Sequence, residues 1–311
     1  MSFSSSPSFQ HTPYDGTSQP FTVGLKPIDE EAWLEPDPFF ASHLAEKERL
    51  YLLQPDSVFR EEAGTEAAQA EVLALILDNL SRFHGATHQV EESTVRIPVT
   101  GRDVSLTDMP ALLIASRLVQ EDLILMRPGD DGYRLVAASL CFPSSWSLAE
   151  KFGKSMSGIH EGVPGFNGSR MGLMVARLFD NLKIDQLVCR FNWSIHPDGD
   201  LYHPLPKDMR FDCPEQALAS LFLRVERQTL RRLPESGDIL FAIKVHHDPL
   251  TALKTQDDRA EIAGGLHKQL QALDEDQLDY KGLSRTRDAL LGALEGFFSQ
   301  SLHSEALSRP S

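Results

Sequence analysis

The sequence predicts an α+β protein in which an antiparallel sheet carries helices between its strands and ends in a helical C-terminal region. Three observations carry this expectation. Asp122–Arg127 and Tyr133–Phe142 are apolar runs joined by Pro128-Gly-Asp-Asp-Gly132, a hairpin signature. Ala219–Leu233 and Ile239–His246 repeat the arrangement across Pro234-Glu-Ser-Gly-Asp238. Beyond Leu250 the apolar residues adopt helical spacing, in Asp257–Leu273 and again in Ser284–Phe298.

The remaining elements follow in chain order. Residues 1–20 are rich in Ser, Pro, Gln and Gly and predict a disordered tail. Trp33-Leu-Glu-Pro-Asp-Pro is extended or turned, because proline disfavours helix at the residue before it. His43–Leu53 reads as a helix. Thr65–His84 is a stronger one: Thr65 caps it, Val72, Ile76, Leu80 and Phe83 share a face, and Gly85 ends it. Residues 89–100 alternate like a strand, and Leu106–Leu118 is a short helix with Pro110 in its first turn. The strand from Tyr133 is apolar almost throughout, which predicts a central position covered on both faces. Ser147–Lys154 and Ser169–Leu182 are helical, and Leu187–Ile195 is a strand that stops at the turn His196-Pro-Asp-Gly. The organisation expected is a tail (1–20), a sheet domain (21–250) and a C-terminal helical extension (251–311).

Composition narrows the function. The chain has 311 residues, 41% hydrophobic and 24% charged, which suits a soluble globular protein with a sizeable core. Its net charge of −15, from 45 acidic against 30 basic residues, opposes a nucleic-acid or anionic-membrane surface. No apolar run approaches the ~20 residues of a membrane span, and the N-terminus lacks a signal-peptide pattern, so a cytoplasmic location is expected. Cys141, Cys189 and Cys213 form no CxxC, and the chain alone builds neither a zinc ribbon nor an iron–sulfur cluster. Dinucleotide, Walker, HExxH and nucleophile-elbow motifs are all missing.

Two groups of residues remain. His160 follows Ile159 at a break between helices, ahead of Gly162-Val-Pro-Gly165. Two readings stay open: a core histidine bonded to a backbone carbonyl, or a proximal ligand for heme iron between apolar walls. Arg190, Arg224, Glu226 and Arg227 lie on segments that otherwise read as buried strands. A buried guanidinium needs an anionic partner, so these residues form either an internal Arg–Glu network or a counter-wall for the carboxylates of a cofactor such as heme. His196 and His203 with Asp198 and Asp200 suggest a polar hairpin or a facultative metal site.

Several stretches together resemble a known family. They are Leu140-Cys-Phe-Pro-Ser-Ser-Trp146, Lys154, Ile159-His-Glu-Gly-Val-Pro-Gly-Phe166, Arg190-Phe-Asn-Trp193, Arg224–Pro234 and Asp248-Pro-Leu250. In this order the chain is similar to the heme-dependent oxidative N-demethylase, alpha-subunit-like proteins, over roughly Phe21–Leu253. It departs from their pattern at Gly162, where proline is expected. The resemblance implies a PAS-like α+β fold binding heme b, with His160 as axial iron ligand and Arg190, Arg224 and Arg227 on the propionates. It implies oxygen-dependent demethylation of a small secondary amine, with release of formaldehyde. Electrons would come from NADPH through FMN and a 2Fe-2S cluster on separate reductase subunits. Glu226 is the candidate catalytic residue, holding the protonated amine, or else an arginine partner. The alternative is a non-catalytic heme-binding, PAS-like sensor or binding module.

Overall fold

A computed structural model describes residues 8–17, 24–207, 209–211 and 213–307, with side chains to residue 298. Its strands are β1 (Lys26–Pro27), β2 (Phe59–Glu61), β3 (Gln89–Val90), β4 (Thr94–Ile97), β5 (Arg102–Ser105), β6 (Asp122–Gly129), β7 (Gly132–Ser139), β8 (Leu187–His196), β9 (Phe222–Arg232) and β10 (Ile239–Pro249). Its helices are α1 (Phe40–Leu53), α2 (Pro55–Val58), α3 (Glu66–Phe83), α4 (Ala111–Ser116), α5 (Leu148–Lys151), α6 (Met156–Ile159), α7 (Arg170–Asn181), α8 (Pro214–Ser220), α9 (Arg259–Ala272), α10 (Glu275–Tyr280) and α11 (Arg287–Leu307). The α+β expectation holds.

Seven strands form one antiparallel sheet in the order β1-β8-β9-β10-β6-β7-β2, and β3-β4-β5 form a second, small sheet. Both anticipated hairpins are present. Gly132 (φ +88°) and Gly237 (φ +74°) sit in their turns in the left-handed region that glycine occupies without strain. The β9–β10 ladder pairs Ile239 with Arg232 through to Pro249 with Phe222, and this fixes which side chains share a face.

The sheet is buried on both sides. One face packs with α3, α4 and the small sheet in a core that includes Ile76, Leu80, Leu123, Leu125 and Leu240. The other carries Ile124, Leu135, Val188, Leu230 and Ile243, covered by α5 to α7 through Leu148, Phe179 and their neighbours. The C-terminal helices add a third core, in which Leu266, Leu270, Leu290 and Leu294 meet Trp193, Ile195, Leu223 and Val225 of the sheet.

Four expectations change. The apolar strand β7 is covered on both faces but is not central, lying between β6 and the three-residue β2. The strand expected from Ala219 starts at Phe222, because Pro214 opens the helix α8 over the preceding residues. The helix expected over 106–118 is shorter, since Pro110 stands outside it and the helix starts at Ala111. In the tail, residues 8–17 are packed rather than disordered: Tyr14 is fully buried, and the Phe9 amide donates to Asp248 Oδ2 at 3.0 Å. Gly265 permits this approach, since a Cβ there would stand 2.8 Å from the Tyr14 carbonyl oxygen. The rest of that expected tail, residues 1–7 and 18–20, lies outside the described residues. Among the described residues no helix is long and apolar enough to cross a membrane.

Candidate functional site

The site is a cavity of about 1130 Å³ whose lining residues come from both faces of the sheet and from β1 at its edge. That exceeds the usual size of a small-ligand pocket. On the α5–α7 side its walls are apolar, with Ile124, Met126, Leu135, Val175, Leu230 and Ile243 among them. Strand alternation puts Arg190, Asn192, Glu226 and Gln228 on this same face, since Asn192 pairs with Glu226 and Arg190 with Gln228 across the β8–β9 ladder.

His160 lines the cavity as the residue that ends α6, whose Ser155 cap accepts from the Gly158 amide. Its Nδ1 lies 2.8 Å from the Met156 carbonyl oxygen. A carbonyl only accepts, so Nδ1 carries the proton and Nε2 keeps its lone pair. Burial is the main cause holding the ring neutral, opposed by the Met156 bond and reinforced by Lys151 and Arg190. Phe166 stacks on the imidazole at 4.0 Å and 12° between planes, fixing its tilt. The carbonyl-bonded reading of His160 holds, and the residue also lines the cavity. Gly162, the departure from the family pattern, has space around it, since a Cβ there would meet nothing within 4 Å.

Glu226 is buried and well supplied with donors. Ser144 Oγ donates to Oε1 at 2.5 Å, while Gln228 Nε2 and Asn192 Nδ2 reach Oε2 at 2.8 and 3.4 Å. A carboxylate offers about four acceptor positions, so Oε1 retains one. Around it lie cations on which its charge acts: Arg190, Lys207, Arg224 and Lys281. Lys207 Nζ donates to the Ile195 carbonyl at 2.9 Å, and burial, then Lys281 and Arg224, bring it down to about 7. Lys281 Nζ donates to the Trp193 carbonyl at 2.7 Å and lies 4.4 Å from the Trp193 ring centroid; burial lowers it to about 8. Among the described residues, Glu226 is the carboxylate whose charge acts on all four of these cations.

The structure brings His160, Arg190, Glu226 and Arg227 onto the lining of one cavity, Arg227 from the opposite face of the sheet, and leaves Arg224 off it. Arg224 does not line the cavity. Its Nη1 donates to the Leu201 carbonyl at 3.0 Å and its Nη2 to those of Phe142 and Pro143, which makes it a buried brace for the 140–144 loop. Arg227 points to the opposite face, where Nη1 donates to the Trp33 carbonyl at 2.9 Å, Nη2 to that of Ala32, and Nε faces Glu35 Oε2 at 3.3 Å. The guanidinium groups of both arginines are engaged within the fold, by carbonyls and, for Arg227, by Glu35, which weighs against the propionate role expected for them. Lys207, Lys281, Ser144, Asn192 and Gln228 were not singled out by sequence reasoning as cavity residues. The parity of β8 and β9 was the signal for Asn192 and Gln228. The two lysines carried none, because loops far along the chain deliver them.

Among the described residues the His196–His203 turn forms no three-ligand group; His203 Nε2 lies 3.0 Å from Asp198 Oδ1. A family model described as haem-dependent oxidative N-demethylase, alpha subunit-like, matches residues 24–291, a span that takes in the sheet and the cavity lining apart from that contributed by residues 10–17. The chain belongs to the haem-dependent oxidative N-demethylase, alpha subunit-like family.

Proposed function

We propose that the chain binds heme b in this cavity and serves as the oxygen-using subunit of an enzyme that demethylates a small, dimethylamine-like secondary amine. The observation that carries the proposal is His160: a neutral imidazole with Nδ1 tied to a carbonyl and its ring clamped by Phe166, on the wall of a large apolar cavity. A heme needs one such ligand, apolar walls and a cationic end for its two propionates. The residues present fit that requirement. His160 would hold the iron, and Arg190, Lys207 and Lys281 would meet the propionates, in place of Arg224 and Arg227.

Heme, when bound, supplies dioxygen activation and one-electron chemistry. The chain's own residues do the rest. Met156 and Phe166 fix the imidazole's orientation. Ser144, Asn192 and Gln228 orient Glu226, whose remaining Oε1 position accepts a charge-assisted hydrogen bond from the protonated amine. The apolar wall excludes water from the reacting methyl group. Electrons come from reductase subunits carrying NADPH, FMN and a 2Fe-2S cluster, consistent with the absence of such motifs here. Formaldehyde is the expected carbon product.

Hemin titration tests the cofactor. The protein should develop a Soret band with one equivalent, and His160→Ala should lose or shift it; an unchanged spectrum in that variant would move the iron ligand elsewhere. With a reductase, NADPH and dimethylamine, formaldehyde should appear, and Glu226→Gln should suppress it while the heme spectrum stays. A heme-loaded protein that releases no formaldehyde from any methylamine would leave the sensor reading in its place.

A further inference from the structure

A second cluster lies on the opposite face of the sheet from His160. We infer that His11, Glu35 and His246 bind one divalent transition-metal ion of the Zn²⁺ class and so fasten the N-terminal segment, residues 8–17, to strand β10. One ligand atom from each residue lies within 4.8 Å of the others. His11 Nε2 is 3.1 and 3.0 Å from the two Glu35 oxygens, and His246 Nε2 is 3.6 Å from Oε2. Donors held about 2.1 Å from one ion at right-angle to tetrahedral separations lie about 3.0–3.4 Å apart, so the His11–Glu35 distances match and His246 would close in as the ion binds. The two imidazoles meet edge-on, with centroids 4.8 Å apart and planes at 79°.

Two further facts point to a ligand. The His246 side chain is only 9% exposed, and its Nε2 makes no hydrogen bond. Its acidic neighbour, Glu35 Oε2, stands at 3.6 Å, just beyond hydrogen-bond range, and buried ring nitrogens so placed are uncommon. Glu35 is also held as an anion: Arg227 Nε sits against Oε2 at 3.3 Å, while Oε1 accepts from the neutral Gln10 Nε2 at 2.8 Å and keeps a second lone pair for an ion. The Arg227 charge is itself spread over the Ala32 and Trp33 carbonyls, which lessens its opposition to a cation. The donor set of two imidazoles and one carboxylate suits Zn²⁺ or Fe²⁺ over Mg²⁺ or Ca²⁺, and it leaves a coordination position open. His11 and Glu35 also line the large cavity. The proposal is independent of the heme reading.

The test uses the full chain, stripped with a chelator and titrated with ZnCl₂ by calorimetry and with CoCl₂ by visible absorption. One equivalent should bind, and Co²⁺ should show the visible absorption bands of a low-symmetry site. Because Glu35 also braces Arg227, the variants are His246→Ala and, on the outer segment, His11→Ala; each should weaken Zn²⁺ binding by about 100-fold or more. His160→Ala should leave Zn²⁺ binding intact. Zn²⁺ should also protect residues 8–17 from limited proteolysis in the parent chain and not in His11→Ala. No Zn²⁺ binding, or equal affinity in parent, His246→Ala and His11→Ala, would overturn the assignment and leave the three residues as a hydrogen-bonded contact.

Discussion

Replacing Arg224 separates a structural role from a cofactor role. Arg224 is 1% exposed, and its terminal nitrogens serve three carbonyls, those of Leu201, Phe142 and Pro143. Its charge also offsets the buried Asp122, which burial raises to about 6 despite Lys47 and the backbone amides of Cys141 and Phe142. Arg224→Ala strands those carbonyls, at about 1–3 kcal/mol for each one left unsatisfied, and removes one partner of a buried charge group. Relaxation makes these costs less than additive, so about 3–5 kcal/mol is expected, the range for breaking a buried ion pair. Arg224→Lys should recover little, since one ammonium cannot reproduce a planar fork aimed at carbonyls on two loops. Urea unfolding of the heme-free protein, followed by circular dichroism, should show the midpoint falling by about 1 M or more. The reasoning fails if the heme-free variant is as stable as the parent while hemin affinity collapses. That result would return Arg224 to the propionates.

Two further perturbations probe local physics. His88 is buried, with Nε2 on the Leu118 carbonyl at 2.8 Å, and burial depresses its folded value to about 4. Below its unfolded value near 6.5 the unfolded chain binds a proton that the folded chain refuses, so stability is lost as pH falls from about 6.5 to about 4. His88→Gln should flatten the stability profile in that window by about 3 kcal/mol in total, measured by chemical denaturation at several pH values; parallel profiles for variant and parent would contradict the assignment. Gly172 lies in the first turn of α7, and a Cβ there would lie 2.5 Å from the Phe166 carbonyl oxygen. Gly172→Ala should cost about 1–3 kcal/mol and, by shifting Phe166 against His160, alter the hemin spectrum. Gly162→Ala, with open space around it, is the matched control and should leave both thermal stability and spectrum unchanged.

Much of this was legible because it is local. The Pro128–Gly132 and Pro234–Asp238 turns announce hairpins within a few residues, and the break at His160 announces a side chain outside the regular ladders. What was hidden depends on distance along the chain. Strands β1 and β2 have two and three residues, too short to show a period, and exist through pairing with Cys189 and Ser139. Lys281 reaches the Trp193 carbonyl across 88 positions, and Arg227 reaches that of Trp33 across 194. The strand parity of Arg224 and Arg227 was readable, but not what each face would meet. The tail was misjudged by composition: Phe9 and Tyr14 sit among small and polar residues, yet their burial against the C-terminal core orders the segment.

Glu226 and Arg227 are neighbours on β9, yet one serves the His160 side of the sheet and the other the Glu35 side. Inserting or deleting a single residue before them would exchange their sides and dismantle both arrangements at once. Sequence change in this strand is therefore confined to substitution, whereas the surface turns can lengthen or shorten freely. Comparing lineages, length variation should stop at the ends of β9 even where the identities within it drift.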